Sequence, residues 1–155
     1  MNLRPDSLQS IRAMEPADLD AVAAIEGAVF PNPWPREALA HELLNNPFCA
    51  AFTAEVEGAV AGYAFVWVIY EQSHLINVAV DERFRGRGLG EALLVRVLRH
   101  AETSGALSIH LEVREVNTAA IALYKKYGFA ILGRVDKYYA DGAAALMMEA
   151  PIGRK

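Results

Sequence analysis

Cysteine is almost missing from this chain: Cys49 is the only one. A lone thiol cannot close an internal disulfide, and a paired-thiol metal site is excluded with it. Within the apolar run FCAAF it reads as a small core side chain. Also missing is any uninterrupted apolar run of about 18 residues, the length a membrane-spanning helix needs, so no membrane partner is expected. The opening MNLRPDSLQS contains no apolar export segment, which points to the cytoplasm. A surplus of positive charge is absent too. With 15 basic residues against 19 acidic ones and a net charge of -4, nothing favours direct nucleic-acid contact through general charge. Repeats, low-complexity tracts and linkers do not occur, so the chain reads as one domain over 1–155 with its core from about 8 to 152.

What is present is a well-supplied core: 54% of residues are apolar and 22% charged, which excludes a largely disordered chain. The apolar pattern predicts a short strand near Leu8 to Met14. A helix follows from about Ala17 to Phe30, where Leu19, Val22, Ile25 and Val29 recur at spacings of three and four. FPNPWP interrupts it, and Pro35 suits the first turn of a second short helix over REALAHELL. AAFTAEV and VAGYAFVWVIY read as strands joined by a tight hairpin at Glu57-Gly58, and HLINVAV as a third. From Gly88 to about Thr103, Leu89, Ala92, Leu93, Val97 and Leu98 mark a helix with one apolar stripe. LSIHLEV is a further strand. Asn117 or Thr118 can cap a helix to about Lys126, ended by Gly128. FAILGRVDKYY and AALMMEAPI close the chain as strands, with a hairpin signal at Asp141-Gly142.

Two stretches carry chemistry. In RGRGLG, Gly86, Gly88 and Gly90 alternate with Arg85, Arg87 and Leu89 between a strand and a helix start. Glycines there bring bare backbone close to a ligand, and the free N–H groups of the helix start attract phosphate. Arg83, Arg85 and Arg87 add charge of the sign that a pyrophosphate or 3'-phosphate wants. Neither the P-loop nor the dinucleotide fingerprint fits the spacing. A glycine-rich turn with solvated arginines is the plain alternative, against which stands the cost of three glycines in a helix start.

The second stretch is LSIHLEV with NTAAIALYKKYGF. Alternation places Leu107, Ile109, Leu111 and Val113 on one face and Ser108, His110, Glu112 and Arg114 on the other. A helix is expected over that second face, which makes a glutamate there conspicuous. Glu112 and the Tyr124 phenol one helix later can flank a single cleft, as acid–base chemistry requires. His41, His74, His100 and His110 show no metal-ligand spacing and no clustered carboxylates, so each reads as a packed or solvated imidazole and no metal is expected.

NVAVDERFRGRGLGEALL, LEVREVNTAAIALYKKYGF and VDKYY together resemble the GNAT N-acetyltransferases, above all the bacterial branch that acetylates the N-terminal alanine of ribosomal protein S18. The likeness runs from about Leu8 to Ile152 and is dense from Asn77 to Tyr139. Arg85-Gly86-Arg87-Gly88-Leu89-Gly90 matches the family's Arg/Gln-x-x-Gly-x-Gly/Ala pattern at each defined place. The segment before Trp34 carries an extra Asn-Pro relative to the familiar FPWS form. The resemblance implies the GNAT acyl-CoA N-acyltransferase fold of the α/β (α+β) class, a mixed, mostly antiparallel central sheet with helices on both faces. It implies acetyl-CoA as co-substrate, no metal, and direct transfer of acetyl to a protein N-terminal α-amine, with ribosomal protein S18 as the partner.

The same resemblance assigns roles. Val78, Ala79 and Val80 would offer strand backbone to the acetyl carbonyl and pantetheine arm. Amides from Gly86 through Glu91 would hold the pyrophosphate, with Arg85 and Arg87 as charge around them, and Asn117 would contact the cofactor. Glu112 would be the general base, a modest one even if burial raises it, and Tyr124 the general acid. Trp34, Tyr138 and Tyr139 would line the acceptor side. A small-molecule amine or a protein lysine is the alternative acceptor. A non-catalytic acyl-CoA-binding module would need neither Glu112 nor Tyr124.

Overall fold

The computed structural model describes residues 9–153, so Leu8, predicted to open the first strand, lies outside the described residues. Alternating apolar residues form seven strands: β1 (Gln9–Ala13), β2 (Cys49–Val56), β3 (Ala59–Ile69), β4 (Gln72–Val80), β5 (Ser108–Arg114), β6 (Ala130–Val135) and β7 (Ala145–Pro151). They join in one sheet of order β1-β2-β3-β4-β5-β7-β6. Every pairing is antiparallel except β4 with β5.

That parallel pairing is brief. Gln72, Ser73 and His74 pair with Ser108, Ile109 and His110, and the ladder then stops. β4 continues on β3 as far as Val80↔Gly62, while β5 continues on β7 as far as Arg114↔Ala145. The sheet therefore forks between β4 and β5. A bulge helps to open it: Phe65 pairs with Asn77 and Val66 with Leu75, leaving Ile76 as an extra residue that bends β4. At the base of the fork the Ser73 hydroxyl donates to the Ser108 carbonyl at 2.8 Å.

Four α-helices cover the sheet: α1 (Leu19–Val29), α2 (Arg36–Asn45), α3 (Leu89–Thr103) and α4 (Thr118–Lys126). On one face α3 and α4 bury Leu93, Leu94, Val97 and Tyr124 against Leu75, Leu111 and Met148. Each such aliphatic side chain contributes on the order of 2 kcal/mol by leaving water. On the other face α1 and α2 bury Leu19, Val22, Ile25 and Leu39 against Ala51, Tyr63 and Phe65. Among the described residues no helix is long and apolar enough to cross a membrane.

Several boundaries differ from the sequence expectation. The first helix starts as a 3-10 turn over Pro16–Asp18, where the Asp18 carboxylate accepts from the Glu15 N–H at 2.8 Å and from Arg12 Nη1 at 2.8 Å. β3 and β4 form a hairpin through Tyr70 and Glu71, with Tyr70 at φ 56, so β4 begins at Gln72 and includes residues before His74. Leu107 does not share the inner face of β5 but precedes the strand at 63% exposure. The last hairpin has a longer connection than Asp141-Gly142 alone: β6 ends at Val135, Lys137 turns the chain at φ 53, and Tyr138 and Tyr139 lie in the loop. Within that loop the Gly142 N–H donates to the Tyr139 carbonyl at 2.8 Å. Finally, α1 and α2 contact mainly β2, β3 and β4, so Ser108, His110, Glu112 and Arg114 on β5 stay half-buried where a covering helix was expected.

Candidate active site

Residues from both arms of the fork line two clefts that meet at Leu75, Val78, Asn117 and Tyr124. The larger, about 470 Å³, runs between β4 and the start of α3 and touches Val78, Val80, Gly88, Leu89, Leu123 and Tyr124. Gly88 caps α3 at φ 80, a left-handed conformation that suits glycine. The first helical bond is Ala92 N–H to the Gly88 carbonyl at 3.0 Å, which leaves the N–H groups of Leu89, Gly90 and Glu91 without intrahelical partners. Bonds along β4 alternate sides. Asp81 N–H donates across to Ala61 on β3 at 2.7 Å, so the Val78 and Val80 N–H groups face the fork. Gly62 lets the strands approach here: a Cβ on it would sit 2.8 Å from the Ala79 carbonyl oxygen.

The loop side chains are less uniform. Arg85 lines the cleft, and its Nε donates to the Val80 carbonyl at 3.3 Å. Arg87 lies over the Phe84 ring at 5.4 Å and does not line the cleft. The Glu91 carboxylate turns away to accept from Lys126 at 2.7 Å and from the Tyr127 hydroxyl. Only the Glu91 amide is left for a ligand. Asn117 lines both clefts while its Oδ1 accepts from the Ala120 N–H at 3.2 Å, so it caps α4 as well.

The second cleft, about 280 Å³, is lined by Trp34, Asn77, Glu112, Arg114, Tyr124 and Tyr139 among others. Tyr124 is 7% exposed, and burial, with the neighbouring Tyr139, raises its phenol to about 12. Arg114 stacks on the Tyr139 ring at 4.3 Å and pairs with Asp141 at 3.0 Å. Tyr138 packs edge-on against Tyr139 at 4.9 Å, is 47% exposed and lies outside the lining of this cleft.

Glu112 differs from the sequence expectation in its electrostatics. Its Oε1 lies 2.7 Å from His74 Nε2, and that hydrogen bond outweighs burial and lowers the carboxyl below the usual range. His110 stacks on His74 with ring centroids 4.2 Å apart at 18°. The fold thus gathers His74, His110 and Glu112 so that their polar atoms lie within 4.8 Å of one another, a cluster that sequence spacing did not reveal. Cys49 lines neither cleft, and burial pushes its thiol up to about 12, far from a ready thiolate.

Sequence reasoning also missed Glu26. It is 2% exposed on α1 and accepts from Tyr63 Oη, from Asn77 Nδ2 at 2.7 Å and, at its other oxygen, from the Trp34 N–H at 3.0 Å. One carboxylate therefore ties α1, β3, β4 and the Trp34 loop together. The signal was available: Glu26 falls within the apolar stripe of Leu19, Val22 and Ile25 at helical spacing.

The profile of the Acetyltransferase (GNAT) family matches residues 19–129. The chain belongs to the GNAT acetyltransferases. A crystal structure of the ribosomal-protein-S18-alanine N-acetyltransferase from Escherichia coli superposes with a TM-score of 0.87 at 33% identity, over 95% of this chain and 96% of that one. A Bacillus subtilis relative, provisionally assigned as a ribosomal protein bS18-alanine N-acetyltransferase, is 36% identical across 90% of this chain and 93% of its own length. An N-alpha-acetyltransferase of Sulfurisphaera tokodaii is 34% identical across 92% of both. This GNAT protein is an acetyl-CoA-dependent N-acetyltransferase, with the mixed, mostly antiparallel sheet between helices that its sequence implied. The unpaired amides of α3 and the apolar groove along Val78 and Leu123 fit a pyrophosphate on an apolar arm.

Proposed function

We propose that this acetyltransferase modifies the N-terminal α-amine of a protein, the N-terminal alanine of ribosomal protein S18, in the cytoplasm. The observation that carries the reading is the meeting of the two clefts at Tyr124, with Glu112 on the wall of the second. A backbone-lined groove on one side suits acetyl-CoA, and an aromatic cleft on the other suits a peptide end. The likeness to the S18-alanine enzyme supports the acceptor. The net charge of -4 suits a basic ribosomal protein.

Bound acetyl-CoA supplies an activated acetyl thioester. The amides of Leu89, Gly90 and Glu91 hold its phosphates, and the fork-facing N–H groups of Val78 and Val80 stabilise oxyanion charge. Holding the amine in line with the thioester supplies much of the rate. An α-amine titrates near 7.7–8.0, so about a tenth to a sixth is neutral at pH 7, against about one lysine in 2,500. Glu112 Oε2 receives the proton, directly or through one water. Tyr124, near 12, stays protonated and donates toward the leaving sulfur. Since a thiol titrates near about 8.5, full transfer from Tyr124 is uphill, and its contribution is a hydrogen bond that strengthens as charge develops.

Acetylation of a peptide panel with acetyl-CoA tests the acceptor. The panel holds an S18-like alanine N-terminus, the same peptide with a blocked α-amine, internal lysine peptides and a small-molecule amine. The free N-terminus is expected to react and the blocked one to stay silent. Preference for lysine or for a small amine over every free N-terminus overturns the proposal.

A further inference from the structure

We infer that Glu26 selects the acceptor by charge: its buried carboxylate, left without a cation by the fold, draws the free α-ammonium into the acceptor cleft and loses its hold once the amine is acetylated. The inference rests on a protein α-amine being the acceptor, and the experiment below separates the two.

Three charged residues line the acceptor cleft: Glu26, Glu112 and Arg114. Two of them have a partner able to offset their charge. Arg114 pairs with Asp141 at 3.0 Å and stacks on Tyr139, and Glu112 has His74 Nε2 at 2.7 Å. Glu26 has none, since every salt bridge among the described residues lies elsewhere. What meets its carboxylate is neutral: the Tyr63 hydroxyl and Asn77 Nδ2 donate to Oε1, and the Trp34 N–H donates to Oε2. A carboxylate accepts at about four positions, so one place on Oε2 is left over.

An ionised carboxylate taken out of water without a counter-ion is costly, and a cation that arrives with the substrate offsets that cost. Most α-amines are ammonium at pH 7, so the acceptor brings such a cation. Glu26 is placed to meet it. Trp34 and Asn77, which hold the carboxylate, line the same cleft, so the charge is fixed in the wall. At 2% exposure it is little screened by water. At about 280 Å³ the cleft is too small to hold an ammonium much beyond the roughly 8 Å over which salt screens a charge.

The charge acts on binding more than on the chemical step. It favours ammonium over amine, so it tightens peptide binding while opposing deprotonation by Glu112. Acetylation leaves a neutral amide, and the attraction ends with the reaction. The selection is therefore against termini that are already blocked, and it does not separate an α-ammonium from a lysine ammonium.

The test compares two peptides by calorimetry at pH 7 on protein saturated with CoA: the S18-like peptide and its desamino analogue, in which hydrogen replaces the α-amino group. The wild type is expected to bind the free amine about tenfold more tightly than the analogue, and Glu26→Gln only about threefold. Gln keeps the size of the side chain and can still accept from the Trp34 N–H, so a merely structural loss weakens both peptides alike and leaves their ratio unmoved. In turnover, Glu26→Gln is expected to raise the peptide KM about threefold with kcat retained or higher, and to keep the acetyl-CoA KM within about twofold. Glu26→Asp keeps the charge and covers a Glu26→Gln that does not fold. Its preference for the amine is expected within about twofold of the wild type; a preference lost there, with the analogue still bound, overturns the inference. So does an undiminished ratio in Glu26→Gln, or a wild type that binds both peptides equally, and either leaves the acceptor reading standing. A wild type that binds neither peptide brings down the acceptor reading and this inference with it.

Discussion

The two arms of the forked sheet are built from different materials. On the β4–α3 arm the cleft offers backbone: fork-facing amides of a bulged strand, a glycine at φ 80 and the unpaired amides of a helix start. On the β5 arm the cleft is lined by residues gathered from α1, its following loop, β4, β5, α4 and the β6–β7 loop. Backbone recognition needs a continuous local segment with the right turns. Side-chain recognition needs long-range packing to converge. The difference teaches that an invariant ligand can be held by one short stretch, whereas an acceptor cleft depends on the whole fold.

The largest expected effect lies on the side-chain arm. Glu112→Gln should lower kcat about a hundredfold or more while acetyl-CoA affinity, read by calorimetry, stays within about twofold. Equal losses in both would erase the division between the arms. Tyr124→Phe should slow single-turnover transfer about tenfold, since one hydrogen bond to developing charge is lost in a buried site. An unchanged chemical step would remove Tyr124 from the reaction.

The opposite signature is expected across the fork. Gly88→Ala places a Cβ in a left-handed cap and should weaken acetyl-CoA binding about tenfold, from a cost of about 1–2 kcal/mol, with kcat at saturation retained. Within the acceptor cleft, Tyr139→Ala should raise the peptide KM about threefold and Tyr138→Ala less than twofold, because only Tyr139 lines the cleft. A larger effect from Tyr138 would extend the cleft over the exposed loop.

A change away from both arms should leave activity nearly untouched and alter only stability. Asp18 is held below its ordinary range, first by Arg12. A depressed carboxyl contributes stability above its unfolded pKa and loses it as pH falls through the folded one. Thermal unfolding should show Asp18→Asn less stable by roughly 1–2 kcal/mol at pH 7, with the gap closing below about pH 4.

The β4–α3 arm was legible in the sequence because its parts are contiguous: strand, RGRGLG and apolar-periodic helix follow one another, and each has a local signature. The order of strands and helices was legible for the same reason, apart from the turn at Tyr70 and the loop holding Tyr138 and Tyr139, which depend on left-handed residues other than glycine. Glu112 and Tyr124 stood out by pattern, but the electrostatics of Glu112 did not. Its partner His74 lies 38 positions away, on a neighbouring strand. Glu26, 51 positions from Asn77, was hidden in the same way, although its place in an apolar stripe marked it as unusual.

By itself, then, the sequence determined the backbone groove and the family, since turns, caps and periodicity act between near neighbours. Only the tertiary structure decided where the sheet parts, that Glu112 is held ionised by His74, and that Tyr139 faces the cleft while Tyr138 does not. Those outcomes depend on strand register, a bulge at Ile76 and burial, which exist only once distant segments pack together.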